Sequence, residues 1–221
     1  MKPVAVILSG SGRADGSEIH ESVAALLALS QEGLPVKIYA PDIEQFKVVD
    51  HLSGRPSEES RNVLVEAARI ARGKIDPLSE LNVDDVSAII LPGGLGAASN
   101  LWAYAQDGIE GDIEKETYRV LTTAMKQKLP LGFICIAPVL GARIAKECGK
   151  SITLTIGNDP STAVDIEALG CKHVISDPNH CVVDKENRVV SAPAYMSAKT
   201  VAECYNGIRD LVKEISNMIA S

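Results

Sequence analysis

The sequence predicts an α/β fold in which a mostly parallel sheet carries helices on both faces. Apolar, strand-like runs recur from Val4 to Val190, and segments with helical spacing alternate with them. The chain has 221 residues and a hydrophobic fraction of 46%, enough for one large domain over residues 1–221 with a substantial core.

The elements follow in order. PVAVILSG reads as a first strand, because glycine and charged residues follow its apolar run at once, which a signal peptide would not show. EIHESVAALLALSQEG reads as a helix with Ile19, Val23, Leu26, Leu27 and Ser30 at helical spacing and Gly33 as its stop. LPVKIYAPD is a second strand. Ile43 to Asn82 is longer than a usual connection and reads as a surface insertion, with a turn at LSGRPSEES and a helix, RNVLVEAARIARG, ended by Gly73. VSAIILPGG is a buried strand, and a helix from Glu114 to Lys128 completes a βαβ unit with the apolar run before Cys135. SITLTI, a short helix over Thr162 to Leu169, HVI, a hairpin HCVVDKENRVVSA turning at Asp184 to Asn187, and a helix from Ser197 to Ala220 complete the pattern.

Composition narrows the function classes. Acidic residues outnumber basic ones by 29 to 22, and 4% of residues are aromatic, which argues against nucleic acid as a partner. Five cysteines without a CxxC pair indicate neither a disulfide framework nor a zinc site and fit a reducing cytoplasm. No run approaches the roughly twenty apolar residues of a membrane span.

Three polar clusters fall at the carboxyl ends of predicted strands, where ligands bind in such sheets. They are SGSGRADGSEIHE, PGGLGAASN and Cys135. Cys135 lies where a strand-like run becomes helical without a loop, as a nucleophile does in a strand-to-helix elbow. Helix N–H groups aimed at it would lower its pKa. A small core cysteine would occupy the same apolar run, so both readings stay open. Gly10, Gly12 and Gly16 fit a dinucleotide fingerprint poorly, since the third glycine comes one residue late and Asp42 lies about thirty residues on, where ~20 is expected. Glu18 and Glu21, three apart at the start of the first helix, suit thiol chemistry or simple helix capping. A carboxyl beside a thiolate is held protonated and can shuttle protons.

Taken together, GFICIAP, LPGGLGAASN, DGSEIHE and VVDKENRVVSAPAYMSA resemble the ThiJ/PfpI branch of the class I glutamine-amidotransferase-like superfamily, and within it the ElbB-like, isoprenoid-biosynthesis-associated proteins assigned as glyoxalases. The resemblance spans almost the whole chain, including the insertion. It implies a flavodoxin-like three-layer sandwich, a homodimer, and Cys135 as the elbow nucleophile. It places Gly93 and Gly94 beside the thiol, with the amides of Gly94 and Ile136 as an oxyanion hole. It selects Glu21 as the partner carboxyl, with Glu18 as second choice.

The sequence departs from the family in two ways. Phe133 stands two residues before Cys135, where a small residue is usual, and no histidine follows the cysteine. His173 and His180 match no motif, and His20 is at most a supporting group. Without a Cys-His pair the chain suits aldehyde chemistry better than amide cleavage. A cofactor-free, metal-free glyoxalase acting on a small reactive aldehyde is the function this resemblance implies. An oxidisable sensor cysteine and an amidotransferase-like partner subunit are the alternatives. Asn100, with His51, Arg61 and Asn62 of the insertion, are candidates to close over the site and bind substrate.

Overall fold

The computed structural model describes residues 1–221. In chain order the elements are β1 (Val4–Ile7), α1 (Ile19–Gln31), β2 (Val36–Ala40), β3 (Val48–Asp50), β4 (Arg55–Ser57), α2 (Val63–Ile70), β5 (Asp76–Pro77) and β6 (Ala88–Leu91). There follow α3 (Tyr104–Asp107), α4 (Lys115–Lys126), β7 (Leu131–Ile134), α5 (Ala137–Glu147), β8 (Thr153–Leu154) and α6 (Pro160–Ala168). The chain ends with β9 (Lys172–His173), β10 (Val182–Asp184), β11 (Val189–Ala192) and α7 (Val201–Ala220).

The main sheet runs β10-β11-β7-β6-β1-β2-β5, and only β10 is antiparallel to its neighbour. Its parallel centre, β2-β1-β6-β7-β11, has flavodoxin-like order, with the topological switch between β1 and β6. Side chains alternate across each strand, so β1 feeds two cores. Ala5 and Ile7 enter the core shared with α4 and α5, whereas Val4, Val6 and Leu8 enter the core beneath α1 and α7. Burial on both faces explains why these strands read as continuous apolar runs.

Four elements differ from the sequence expectation. In α1 the apolar stripe Ile19, Val23 and Leu27 is 44%, 52% and 48% exposed. The face that packs is made of Ala24, Ala25, Ala28 and Leu29, with Glu21 and Ser22 on the same side. Small side chains let α1 lie close to its neighbours, and that closeness carries Glu21 inward. The insertion is also more than a surface feature. It forms the β3–β4 hairpin and α2, then returns as the edge strand β5 paired with β2. SITLTI and HVI do not extend the main sheet, because β8 and β9 pair only with each other. Finally, α7 starts at Val201 rather than Ser197. Thr200 and Glu203 form a capping box there, Glu203 N–H donating to Thr200 Oγ1 (3.1 Å) and Thr200 N–H to Glu203 Oε2 (3.3 Å).

No helix is long and apolar enough to cross a membrane. All five cysteines are free.

Candidate active site

Cys135 sits in the one-step turn between β7 and α5 with φ +63, a left-handed conformation that costs a non-glycine residue about 1–2 kcal/mol. The turn is held by sheet and helix together. Cys135 N–H donates to Ala192 O of β11 (2.9 Å), and Ile136 caps α5, whose first turn contains Pro138. The amides of Gly94 and Ile136 lie near the sulfur and favour its charged form.

Phe133 does not obstruct this elbow, because the space it needs is supplied by residues distant in sequence. A Cβ on Gly141 of α5 would come within 2.9 Å of the Phe133 ring. A Cβ on Gly93 would meet Cys135 Cβ at 2.4 Å and Glu21 Oε2 at 2.8 Å. Real Cβ atoms do not come so close, so the strand-end glycines, rather than small neighbours in sequence, make room for the nucleophile.

Glu21 is the carboxyl at the thiol. It is fully buried, and a Cβ on Gly93 would meet both its Oε2 (2.8 Å) and the Cys135 Sγ (3.0 Å). Gly93 N–H donates to its Oε2 (2.9 Å) and Tyr195 N–H to its Oε1 (3.3 Å). Burial raises its pKa from 4.5 to about 7, against the opposing effect of the hydrogen bonds.

The thiol corrects an expectation. Its pKa lies well above the ordinary value rather than below it, because burial and the neighbouring Glu21 charge outweigh the two amides. At rest the pair is therefore a thiol beside a carboxyl that gives up its proton near pH 7.

Glu18 does not reach the sulfur. Its Oε2 accepts the Glu21 N–H (2.7 Å) as the α1 cap, while the residue lines the cleft and its charge helps to raise Glu21.

Asn100 lies outside the cleft. Its Nδ2 donates to Ser9 O (2.9 Å) and Asp15 O (2.9 Å), and its Oδ1 accepts from Phe46 N–H (2.9 Å). It stitches the β1 loop to the insertion and does not line the substrate space.

The insertion residues are equally structural. Asn62 caps α2 by accepting from Val65 N–H (3.0 Å), and Arg61 pairs with Glu59 (2.7 Å). His51 Nε2 accepts from Ala14 N–H (3.3 Å), bracing the β1 loop from behind. His173 accepts from Ile156 N–H (3.4 Å) and His180 lies 3.6 Å from Asp210, both away from the thiol. No cluster of three His, Cys, Asp or Glu side chains is placed to hold a metal ion.

The cleft over Cys135 has a volume of about 500 Å3. Gly94, Leu95, Ile136 and Met196 line it together with Arg13, Glu18, His20 and Tyr195. His20 Nδ1 and the Tyr195 hydroxyl share a hydrogen bond of 2.8 Å. Sequence reasoning missed Arg13, Tyr195, Leu95 and Met196. One signal was available, since Arg13 is the single basic residue in a glycine-rich strand-end loop.

Comparison with known proteins places this geometry in a family. No family model matches the chain. The ES1 protein homolog, mitochondrial, of Rattus norvegicus is 44% identical over 222 residues, spanning 96% of this chain and 82% of that protein. The human glutamine amidotransferase-like class 1 domain-containing protein 3, mitochondrial, is 43% identical over 96% of this chain and 81% of its own length. The crystal structure of an isoprenoid biosynthesis protein with amidotransferase-like domain from Ehrlichia chaffeensis superposes with a TM-score of 0.91 at 33% identity, covering 98% of this chain and 99% of that one. Drosophila melanogaster DJ-1beta shares the fold, with a TM-score of 0.51 at 17% identity over 100% of this chain and 98% of its own. The chain therefore belongs to the ES1 family of glutamine amidotransferase-like class 1 domain proteins and has the fold of DJ-1.

Proposed function

We propose that the chain is a glyoxalase that uses no cofactor and converts methylglyoxal or glyoxal to lactate or glycolate. The observation that carries the reading is the buried Glu21 carboxyl set beside the Cys135 thiol at Gly93, with the Gly94 and Ile136 amides near the sulfur. The Glu21 carboxylate takes the thiol proton as sulfur adds to the aldehyde carbon, and returns it to the new oxygen to give a hemithioacetal. It then removes the C1 hydrogen as a proton and delivers one to C2. This internal redox shift turns the aldehyde carbon into a thioester and the ketone into an alcohol. Water cleaves the thioester, releasing the 2-hydroxy acid and restoring the thiol. The two amides stabilise the oxyanions along this path. Comparing lactate release by the wild-type chain and Cys135→Ser tests the reading, and equal rates would remove it.

A pH dependence follows. Below about 7 Glu21 holds its own proton and cannot accept one from the thiol. We expect kcat/KM to rise with pH through about 7 and then level off; a profile flat from acid to neutral pH would contradict this role.

The alternatives receive less support. An oxidation-sensing cysteine depends on thiolate character, and this thiol is held protonated. Amide cleavage needs a histidine on the sulfur, and His20, the one histidine lining the cleft, is bonded to Tyr195.

The family resemblance also supports a homodimer, for which the half-exposed stripe Ile19, Val23 and Leu27 of α1 offers an apolar surface. Sedimentation equilibrium should give twice the chain mass, and a monomer would exclude it. Five free cysteines favour a reducing compartment such as the cytoplasm, although both curated relatives are named mitochondrial.

A further inference from the structure

The cleft is larger than a three-carbon dicarbonyl requires, and Arg13 is the one arginine or lysine that lines it. A volume of about 500 Å3 is in the range that holds drug-sized ligands. The Arg13 side chain forms no ion pair and no hydrogen bond within the chain, while much of the cleft wall is apolar: Leu95, Ile136 and Met196.

The loop that presents Arg13 is held on several sides. Gly12 N–H donates to Ser17 O (2.8 Å), Gly16 N–H to Gly12 O (2.7 Å), and Leu95 N–H to Arg13 O (2.8 Å). Ala14 N–H donates to His51, and the Asp15 carboxylate turns to the insertion, accepting from Val49 N–H (2.8 Å). The loop thus directs its acid toward the hairpin and its base toward the cleft. Glu18, which also lines the cleft, has one oxygen committed to the α1 amide.

We propose that the cleft selects a 2-oxoaldehyde bearing a carboxylate, which Arg13 grips while Cys135 takes the aldehyde carbon. A guanidinium matches a planar carboxylate with two parallel N–H donors. Glu18 already offsets the one cation of the cleft, so a singly charged carboxylate is repelled less than a doubly charged phosphate. The inference rests on the glyoxalase reading for its chemistry, which is the same thiol addition, proton shift and hydrolysis.

The test compares 4,5-dioxopentanoate, a 2-oxoaldehyde with a terminal carboxylate, against methylglyoxal. The wild-type chain should prefer the former by about tenfold in kcat/KM, and Arg13→Ala should erase that preference through KM, with Arg13→Lys retaining part of it. In a second measurement, glutarate should slow alkylation of Cys135 by iodoacetamide in the wild type but not in Arg13→Ala, read by intact mass. Turnover of both aldehydes at a ratio unmoved by Arg13→Ala would overturn this inference and leave the glyoxalase reading standing. Arg13-dependent protection by glutarate without turnover of either aldehyde would do the reverse. Neither turnover nor protection would overturn both.

Discussion

A Cys135→Ser chain is expected to release lactate from methylglyoxal about 10⁴- to 10⁶-fold more slowly than the wild type, up to the scale on which removing an enzyme's nucleophile acts. The reasoning is one of proton affinity. Glu21, titrating at about 7, is already a weak base for a buried thiol, and a hydroxyl holds its proton far more tightly. The substitution is otherwise mild. The side chain is 8% exposed, the backbone keeps the same left-handed turn, and the Ala192, Gly94 and Ile136 contacts involve groups that serine also offers. Thermal unfolding should therefore change little, so that steady-state lactate assays report chemistry rather than loss of fold.

Glu21→Gln should lower kcat by about 10²- to 10⁴-fold, the usual range for a lost general acid-base group. It should also change how stability responds to pH. In the folded chain Glu21 titrates at about 7 against an ordinary 4.5, so between these values the folded state binds more protons than the unfolded state. The stability this contributes is fully present below 4.5 and is lost as pH rises through about 7. The shift amounts to about 3 kcal/mol, on the order of magnitude that such burial allows. Denaturant titrations at pH 5 and pH 8 should show the wild type losing roughly this much between them relative to Glu21→Gln. Parallel curves for the two chains would contradict a buried, proton-holding carboxyl. The absolute stability of the variant is a separate matter, since glutamine turns a donor toward either the Gly93 or the Tyr195 amide.

Much of this arrangement was legible in the sequence. Fully buried parallel strands announce themselves as apolar runs, and the rule that ligands gather at strand carboxyl ends brought Cys135, Gly93, Gly94 and the β1 loop together. The choice of Glu21 over Glu18 came from family spacing; in the structure Glu18 caps the helix and Glu21 lies beside the thiol. Three things were not legible. The buried face of α1 was misread because periodicity registers large apolar residues, whereas close packing here uses alanines. The protonation of Cys135 was misjudged because a helix terminus is visible in sequence but the depth of burial opposing it is not. Asn100 looked like a site residue because it lies in a strand-end loop, yet its side chain faces the backbone of two other loops.

The strand-end glycines also bear on how this scaffold can diverge. A Cβ on Gly94, itself at φ +91, would come within 2.4 Å of Gly16 O and Glu18 N, and one on Gly93 would strike the nucleophile. These positions tolerate almost no variation without dismantling the thiol and carboxyl pair. Arg13 and Leu95 are different, because their side chains extend into open space and their backbones are already fixed to each other by the 2.8 Å Leu95 N–H to Arg13 O bond. Reactivity is thus frozen while selectivity is free to drift, so related chains with the same chemistry can acquire different substrates through a few cleft side chains, and a designer can do the same.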